Sequence, residues 1–548
     1  MLRNNGVPAK SRRGVTCPRK ARVTLEWSVS RPGAKGSAIH RFDSQSPDFS
    51  ARAATCLRRV CALAIALLLI ATAAVTPCRA AAPAEIVKRH DQLLAEYGER
   101  LQALAADADG AGLKSQAELA RKWLPKLPPN TIRYAQRPPM ATVAGAATAS
   151  KSAPTAEREW NERFTQARVA QADSLFKLAG DAVDAGVASF AFSILVETLR
   201  ENPDHAEARK TLGYESSQDR WLTHYEARKA REKQVWHPKF GWLPAANVKR
   251  YEGGEQYYRG RWMKSADANR LGAKPKNGWD VATEHYQVHT NHSLEEGVRL
   301  ATRLERLYDV WQQMFAAFVA TEEQLARRYH GQAAVRREPL QHKVVLFRNR
   351  DEYVEALRRE QPNIGVTTGY YLASKREAYF YCHDEGEESD DTNLFHEATH
   401  QLFSEIRPVT RDLGRDANFW IIEGIACYME SLVEQDDWTL LGGNDAVRLR
   451  DAQHRLLVDQ FYVPLAELCG FGMDALQRYP RIAMLYSQSA GLTHFLVHAN
   501  ASRYRGALVE YLVAVYTGRD QTGTLSSLTG ESDLKLDEQY RQFLKSIP

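Results

Sequence analysis

The sequence contains few cysteines, and most of them lie near its beginning. Four of the seven fall within residues 1–82, and the other three are Cys382, Cys427 and Cys469. Three cysteines are too few for a disulfide framework, although one pair could form. The chain is therefore not a small disulfide-stabilised fold. Its 44% apolar composition is that of a globular protein that buries an ordinary core.

The sequence also lacks an apolar run of the usual transmembrane length. The run VCALAIALLLIATAAV occupies residues 60–75, whereas a bilayer-spanning helix needs about 20 residues. Arg52, Arg58 and Arg59 precede it and small residues follow it, which is the layout of a secretory signal peptide. We predict a basic leader with a signal peptide at 1–82 and export to the periplasm, cell envelope or medium. A membrane contact is expected only if the leader is retained.

An excess of positive charge is missing from the body of the chain. The whole sequence has 73 Lys and Arg against 67 Asp and Glu, and residues 1–82 account for 14 and 3 of these. Residues 83–548 therefore hold 59 basic and 64 acidic side chains, a net charge of −5. A mildly acidic body provides no electrostatic footprint for DNA or RNA, so we predict no nucleic-acid partner.

Helical periodicity dominates the first part of the body, residues 83–218. Within it, residues 176–214 resemble one helix-turn-helix unit of the tetratricopeptide type, with small residues on one face and Asn202-Pro203 at the turn. A plain helical hairpin and a true repeat both fit this pattern. The region is a candidate binding surface for a protein partner.

Residues 219–280 form an aromatic and glycine-rich connecting module. Within residues 219–263, four tryptophans recur among basic residues, at Trp221, Trp236, Trp242 and Trp262. They could stack on a nucleic acid or a glycan. They could instead wedge a small module against its neighbours, and this second interpretation is the expected one.

The pattern changes again at residues 281–548. A strand is predicted at 284–291, an amphipathic helix at 293–318, a strand and helix at 342–357, and two short strands at 369–382. Beyond these residues the chain is mostly helical. Strands followed by helices indicate a domain of the α+β class.

The stretch NLFHEATHQLF, residues 393–403, contains the first candidate metal-binding and catalytic residues. On a helix, His396 and His400 lie one turn apart and project from the same face. Two imidazoles at this spacing can bind one Zn²⁺, with Glu397 beside the vacant coordination position. Polar and acidic residues immediately before Leu394 supply the caps and charge that favour a helix start.

A second apolar segment, FWIIEGIACYMES at 419–431, contains an isolated carboxylate. Glu423 lies 23 positions after His400, which leaves room for one helix to end and another to return alongside it. A glutamate among Trp, Ile and Ala is costly to bury unless it meets a cation or a donor. Zinc held by a third protein ligand would satisfy it, and Gly424 would allow close backbone approach.

HEATH followed by WIIEGIACYME resembles the gluzincin metallopeptidases, whose aminopeptidase-N-like members carry a Trp-x-x-Glu-Gly-x-Ala helix. It resembles more closely the peptidase-MA-like families of unknown function in exported bacterial proteins. The resemblance covers about residues 281–520 and implies a thermolysin-like or gluzincin-like catalytic domain. It further implies that His396, His400 and Glu423 are zinc ligands and that Glu397 is the general base.

The resemblance extends to MLYSQSAGLTHFL, residues 484–496, where the aminopeptidase-like group has a tyrosine that stabilises an oxyanion. Tyr486 occupies that position, and a tyrosine packed on a helix with its hydroxyl in water is the other interpretation. His494 is a weaker candidate for the same role. The strand at Gly369–Tyr371 could be the edge along which a peptide lies. The exopeptidase signature of the group is absent there, so aminopeptidase specificity is not expected.

Other side chains near these segments have two interpretations each. Glu430 could orient a ligand histidine or lie on the surface. Cys427 could compete for the metal, although a buried structural thiol is expected. His285, His289 and His292 have the residue type of metal ligands, but metal binding is not expected there.

The sequence thus predicts an exported zinc-dependent peptidase acting on a peptide or protein substrate. A gluzincin-type α+β domain at 281–548 would follow the helical region and the connecting module. The main alternative is a non-catalytic peptidase-like protein that binds a partner through its helical region. A helical-repeat scaffold with an accidental His-Glu-x-x-His segment is a further alternative, which requires the setting of Glu423 to be coincidental as well.

Overall fold

The computed structural model of the chain describes residues 76–137, 154–217, 220–332, 340–383 and 391–548. The predicted signal peptide and nearly all of the predicted leader lie outside these residues. Within them, no helix combines the length and the apolar character needed to cross a membrane. Cys382, Cys427 and Cys469 are all free thiols.

The N-terminal region is mainly helical. Its elements are α1 (Thr76–Gly110), α2 (Lys114–Trp123), β1 (Thr131–Ala135), α3 (Thr155–Asp184), α4 (Ala188–Glu201), α5 (Ala206–Thr211) and β2 (Glu215–Ser217). Helices α3 and α4 form a helical hairpin in which Ala179, Ala182 and Ala191 are buried. Small residues on the facing sides allow two helices to approach closely. A helical hairpin is therefore present, but its turn lies at residues 185–187, and Asn202-Pro203, where the sequence predicted the turn, instead follows the end of α4.

The connecting module consists of β-hairpins that are each followed by a helix. Its elements are β3 (Arg220–Leu222), α6 (His224–Arg231), β4 (Gln234–His237), β5 (Gly241–Pro244), α7 (Val248–Glu252), β6 (Glu255–Tyr258), β7 (Arg261–Lys264) and α8 (Ser265–Gly272), with short 3₁₀ turns at Ala245–Asn247 and Pro275–Asn277. The antiparallel pairs are β2 with β3, β4 with β5, and β6 with β7. We call the resulting three hairpin–helix units the hairpin repeats.

The hairpin repeats were not predicted, although the sequence contains their signature. Trp221, Trp242 and Trp262 occupy the same place in the second strand of each hairpin, 21 and 20 positions apart. Each is preceded by Arg or Gly and followed by Leu or Met. Regular spacing of this kind is typical of tandem structural units.

The aromatic side chains of the module pack against one another. Trp236 meets Trp242 edge-on at 5.8 Å between ring centroids, and Trp242 meets Tyr225 of the preceding unit at 6.1 Å. The ring of Trp262 packs on Tyr251 at 5.4 Å. The Trp242–Tyr225 and Trp262–Tyr251 contacts join neighbouring hairpin repeats. Trp236 and Trp221 also pack against the neighbouring hydrophobic cores, as the wedging interpretation expected.

A mixed five-stranded sheet follows. Its region contains β8 (Trp279–Ala282), β9 (Tyr286–Thr290), α9 (Leu294–Met314), α10 (Ala316–Val319), α11 (Glu322–Tyr329), β10 (His342–Phe347), α12 (Arg350–Leu357), a 3₁₀ turn at Ile364–Val366, β11 (Gly369–Leu372) and β12 (Glu377–Tyr381). The strand order is β11-β12-β10-β9-β8. The central pairs β9–β10 and β10–β12 are parallel, and β8 and β11 join antiparallel at the two edges. All strands and helices predicted between 284 and 382 are present.

The remainder of the chain is mostly helical, as predicted. Its elements are α13 (Asp391–Glu405), α14 (Phe419–Met429), β13 (Val433–Gln435), β14 (Trp438–Gly442), α15 (Val447–Leu457), α16 (Leu465–Cys469), α17 (Met473–Gln477), α18 (Ile482–Ser502, kinked at 499–501), α19 (Arg505–Thr517), α20 (Thr524–Thr529) and α21 (Asp533–Ser546). Together with the mixed sheet, these helices are consistent with the predicted α+β class.

The N-terminal region is joined to the rest of the chain by a strand and by a shared core. Strand β1 pairs antiparallel with β14, so that β1, β14 and β13 form a second small sheet. The helical hairpin buries its apolar face partly against Ala316, Ala320 and Leu325. Beside this core, Arg137 and Asp309 form an ion pair at 3.1 Å.

A buried polar network fixes α13 against the five-stranded sheet. The Glu405 carboxylate at the end of α13 contacts His342 Nδ1 of β10 at 2.8 Å. It also accepts hydrogen bonds from the Tyr371 hydroxyl of β11 and the Gln401 amide, both at 3.2 Å. A buried carboxylate with several hydrogen-bond partners fixes the position of its helix along the sheet. The network thereby sets where the preceding turns of α13 lie.

Candidate metal centre

Helix α13 presents one face to the sheet and another to α14. Leu394, Ala398 and Leu402 form its apolar stripe and are buried in the main core. His396 and His400 lie one turn apart, as the sequence predicted, with their Nε2 atoms 3.2 Å from each other. Both rings are buried. Helical spacing alone therefore brings two imidazole nitrogens close together.

Helix α14 brings the Glu423 carboxylate close to these two nitrogens. Asn418 precedes α14 with a left-handed backbone (φ 57°), accepts a hydrogen bond from the Tyr511 hydroxyl at 2.6 Å and donates one to Asp520 at 2.7 Å. These bonds fix the start of the helix. Gly424 permits close packing on α18, because a Cβ there would lie 2.7 Å from Thr493 Oγ1 and 2.8 Å from a backbone carbonyl. The expected close approach at Gly424 is thus present.

Three predicted ligand side chains converge. Glu423 Oε2 lies 3.5 Å from His396 Nε2 and 3.7 Å from His400 Nε2, which completes a triangle with the 3.2 Å between the two nitrogens. Three donor atoms in this arrangement can bind a single small cation. The structure thus contains a buried histidine–glutamate group that could hold a metal ion.

Glu423 carries a buried charge with no hydrogen-bond partner. Its side chain is fully buried, and neither carboxylate oxygen accepts a hydrogen bond among the described residues. Burial alone would raise the pKa of Glu423, but His400 and His396 outweigh this effect and hold the pKa well below its usual range. An ionised and unbonded carboxylate is strongly unfavourable in a protein core unless a cation neutralises it. The site could therefore hold a cation.

A second group of possible metal ligands consists of His396, Cys427 and Glu430, but its carboxylate is already paired with other side chains. Glu430 accepts from His396 Nδ1 at 2.8 Å and receives the Arg448 guanidinium at 2.7 and 3.0 Å. Both Glu430 oxygens are thus neutralised by Arg448. Burial raises the pKa of the nearby Cys427 thiol, which disfavours a metal-binding thiolate. Both groups could hold a metal ion, and the one with Glu423 is the one whose carboxylate has no arginine partner among the described residues.

The His396–Glu430–Arg448 chain orients the ring of His396. With Nδ1 held by Glu430, Nε2 of His396 points toward Glu423 and His400. Hydrogen bonds of this kind fix the tautomer and the ring orientation of a metal-binding histidine. Of the two interpretations of Glu430, the structure shows the buried contact with His396. Arg448 had not been predicted, because it follows Glu430 by 18 positions across two intervening strands.

We expect Glu430→Ala to weaken metal binding by about 10- to 100-fold, because His396 would lose the group that orients it. Competition with a chromophoric chelator measures this affinity. Glu434→Ala removes an exposed carboxylate four residues later and should leave the affinity unchanged. Equal affinities for the wild type and Glu430→Ala would show that His396 needs no such support.

Glu397 lies on the same helix and faces the sheet edge. Its Oε2 accepts a hydrogen bond from the Tyr371 backbone N–H of β11 at 2.9 Å. Gly369 allows this proximity, because a Cβ there would lie 2.9 Å from the Phe380 ring and 3.2 Å from Glu397 Cγ. Strand β11 is the edge strand predicted from the sequence, and its N–H group positions the Glu397 carboxylate. That bond was not predicted.

Tyr486 of α18 lies beside the group formed by His396, His400 and Glu423. It is 7% exposed, and its hydroxyl makes no hydrogen bond within the described residues. Burial and the adjacent negative charge of Glu423 raise the pKa of Tyr486, so its hydroxyl stays protonated. The interpretation of a hydroxyl in water does not hold for this buried side chain. His494, the weaker candidate, packs edge-on against Tyr428 with a 4.7 Å centroid separation.

The three histidines near β9 do not form a common site. His285 contacts Glu305 of α9 at 2.7 Å, and His289 contacts Asp280 at 2.8 Å. The Nδ1 atom of His292 lies 3.2 Å from the Ser293 hydroxyl. Each ring has its own partner, so these residues stabilise the sheet region separately.

Comparison with known proteins adds no assignment. The chain matches no protein-family model and no curated protein sequence. The function of this site is therefore inferred from its own geometry and chemistry.

Proposed function

We propose that the protein is an exported zinc-dependent peptidase of the gluzincin type, with a thermolysin-like catalytic domain at 281–548. The observation that carries the proposal is the convergence of His396, His400 and Glu423, with Glu423 buried and its oxygens accepting no hydrogen bond from the described part of the chain. Catalytic zinc sites often use two histidines and one glutamate and keep a fourth position for water. The separations of 3.2–3.7 Å suit tetrahedral zinc, whose bonds of about 2.0–2.1 Å set ligand atoms roughly 3.3–3.4 Å apart.

Glu397 and Tyr486 supply the remaining chemistry of peptide hydrolysis. Zinc bound at this site would supply Lewis acidity toward water and the scissile carbonyl. Glu397 accepts the proton of the attacking water and delivers it to the leaving amine. The protonated Tyr486 hydroxyl, which lies beside Glu423, donates to the oxyanion that develops on the scissile carbonyl.

The substrate in this proposal is an extended peptide or a segment of a protein. Strand β11 is a sheet edge directly beside Glu397, and extended peptides bind sheet edges through backbone hydrogen bonds. Such binding presents a scissile bond to the base with little dependence on side chains. An aminopeptidase specificity is not part of the proposal.

Metal analysis of the purified full chain tests the proposal directly. We expect one zinc per chain in the wild type and in Glu397→Gln, and none in Glu423→Ala, because only the last substitution removes a ligand. Glu397→Gln is the matched control, since it also neutralises a buried carboxylate at the site. A wild type that is free of zinc after purification without chelator would contradict the proposal.

A further inference from the structure

The connecting module concentrates positive charge that the rest of the body does not have. Residues 220–276 contain 14 Lys and Arg but only 5 Asp and Glu, a net charge of +9. The body as a whole, residues 83–548, has a net charge of −5. The average over the body therefore conceals a strongly basic segment of fewer than sixty residues. A local charge of this size creates an attractive field for anionic surfaces.

This charge is on the surface and is mostly not neutralised. Twelve of the fourteen basic residues are exposed. Arg250 and Arg270 pair with carboxylates of the module. By contrast, Arg261, Lys264, Lys274 and Lys276 form no ion pair with a described carboxylate, and they follow one another along the third hairpin repeat and its exit.

Apolar side chains are exposed among these cations. Tyr257 is 52% exposed, Leu271 is 43% exposed and Val235 is 37% exposed. Tyr257 lies two residues before Arg259, and Leu271 directly follows Arg270. Surfaces that combine Lys and Arg with protruding Tyr and Leu are suited to the interface of an anionic bilayer, where cations meet headgroups and apolar tips enter the acyl boundary.

We propose that the hairpin repeats dock the protein onto membranes rich in anionic phospholipid headgroups. This contact does not require the leader, and it is independent of the zinc chemistry. Single-stranded nucleic acid is a poorer fit because it needs free aromatic faces. In the module, the Arg250 guanidinium lies 3.8 Å from the Trp262 ring centroid, and Trp236 packs on Trp242.

Hydrogen–deuterium exchange on the full chain tests the docking with a readout confined to the module. Vesicles of phosphatidylcholine with about 30% phosphatidylglycerol are compared with phosphatidylcholine alone, at low and at high salt. We expect exchange in peptides from 231–276 to slow by at least about threefold on the anionic vesicles only, and to recover at high salt. Membrane binding through residues 1–82 would be detected as slower exchange in peptides from that segment.

Charge-reversal variants give the matched comparison. Lys274→Glu with Lys276→Glu should abolish the protection of 231–276. Arg478→Glu with Lys545→Glu changes the charge equally at two exposed positions outside the module and should preserve it. The proposal is overturned if the segment is unprotected on anionic vesicles or equally protected on neutral ones. It is also overturned if a single-stranded oligonucleotide protects the segment and vesicles do not.

Discussion

Glu397→Gln is expected to lower kcat/KM for peptide hydrolysis by about 10²- to 10⁴-fold while leaving the bound metal in place. Glutamine has nearly the same shape as glutamate and can still accept the hydrogen bond from the Tyr371 N–H. It cannot take a proton from water. The substitution therefore removes proton transfer without moving the side chain, and the rate is followed by mass spectrometry of a digested peptide library.

Glu434→Gln is the control for this experiment, because it neutralises an exposed carboxylate just beyond α14. Its rate should equal that of the wild type. Undiminished cleavage by a Glu397→Gln variant with full zinc content would assign proton transfer to another group. Absence of cleavage by zinc-loaded wild type would favour the alternative of a peptidase-like binding protein.

The core of the candidate site could be predicted because its determinants are local. His396 and His400 are related by a single helical turn, so the predicted helix alone brings their rings together. Glu423 could be predicted for a different reason. Its segment is otherwise apolar, and a carboxylate in such a segment must be satisfied by something outside it. Sequence pattern and desolvation together were sufficient to name three side chains.

The groups that orient these side chains could not be predicted, because they arise from tertiary contacts. Arg448 reaches Glu430 from the following helix, across the hairpin of β13 and β14. The Tyr371 donor is a backbone N–H, which is present at nearly every position and has no signature in sequence. Such contacts depend on how the elements pack and not on any spacing along the chain.

In the fold, as in the site, elements determined by nearby residues could be predicted, and pairings between distant residues could not. The strands between 284 and 382 were predicted from the alternation at 284–291 and from short apolar runs after it, whereas β1 pairs with a strand about 300 positions later. A five-residue strand within a helical region has too weak a periodicity to be recognised on its own. The hairpin repeats differ, because their tryptophan spacing was visible in the sequence and a search for internal periods would have found it.

Removal of the metal is expected to lower the melting temperature substantially. A metal present at about 1,000 times its Kd stabilises the folded state by roughly 4 kcal/mol. For a domain of this size, each kcal/mol shifts Tm by about 2–4 °C. We therefore expect a chelator to lower Tm by about 8–16 °C and added zinc to restore it, as measured by calorimetry. The shift has a specific cause, because chelation leaves Glu423 buried beside two imidazoles, and no described residue donates a hydrogen bond to either of its carboxylate oxygens.

Glu423→Leu separates this cause from a general effect of chelators. Leucine fills a similar volume in the apolar surroundings of α14, where Trp420, Ile422 and Ala426 are buried. Removing the carboxylate also removes the cost of keeping it in the apolar core when no metal is bound. The variant should therefore melt at or above the temperature of chelated wild type and show no response to chelator. If Glu423→Leu responded as strongly as the wild type, the stabilising cation would lie elsewhere. If neither protein responded, the buried carboxylate would have to be satisfied without a metal.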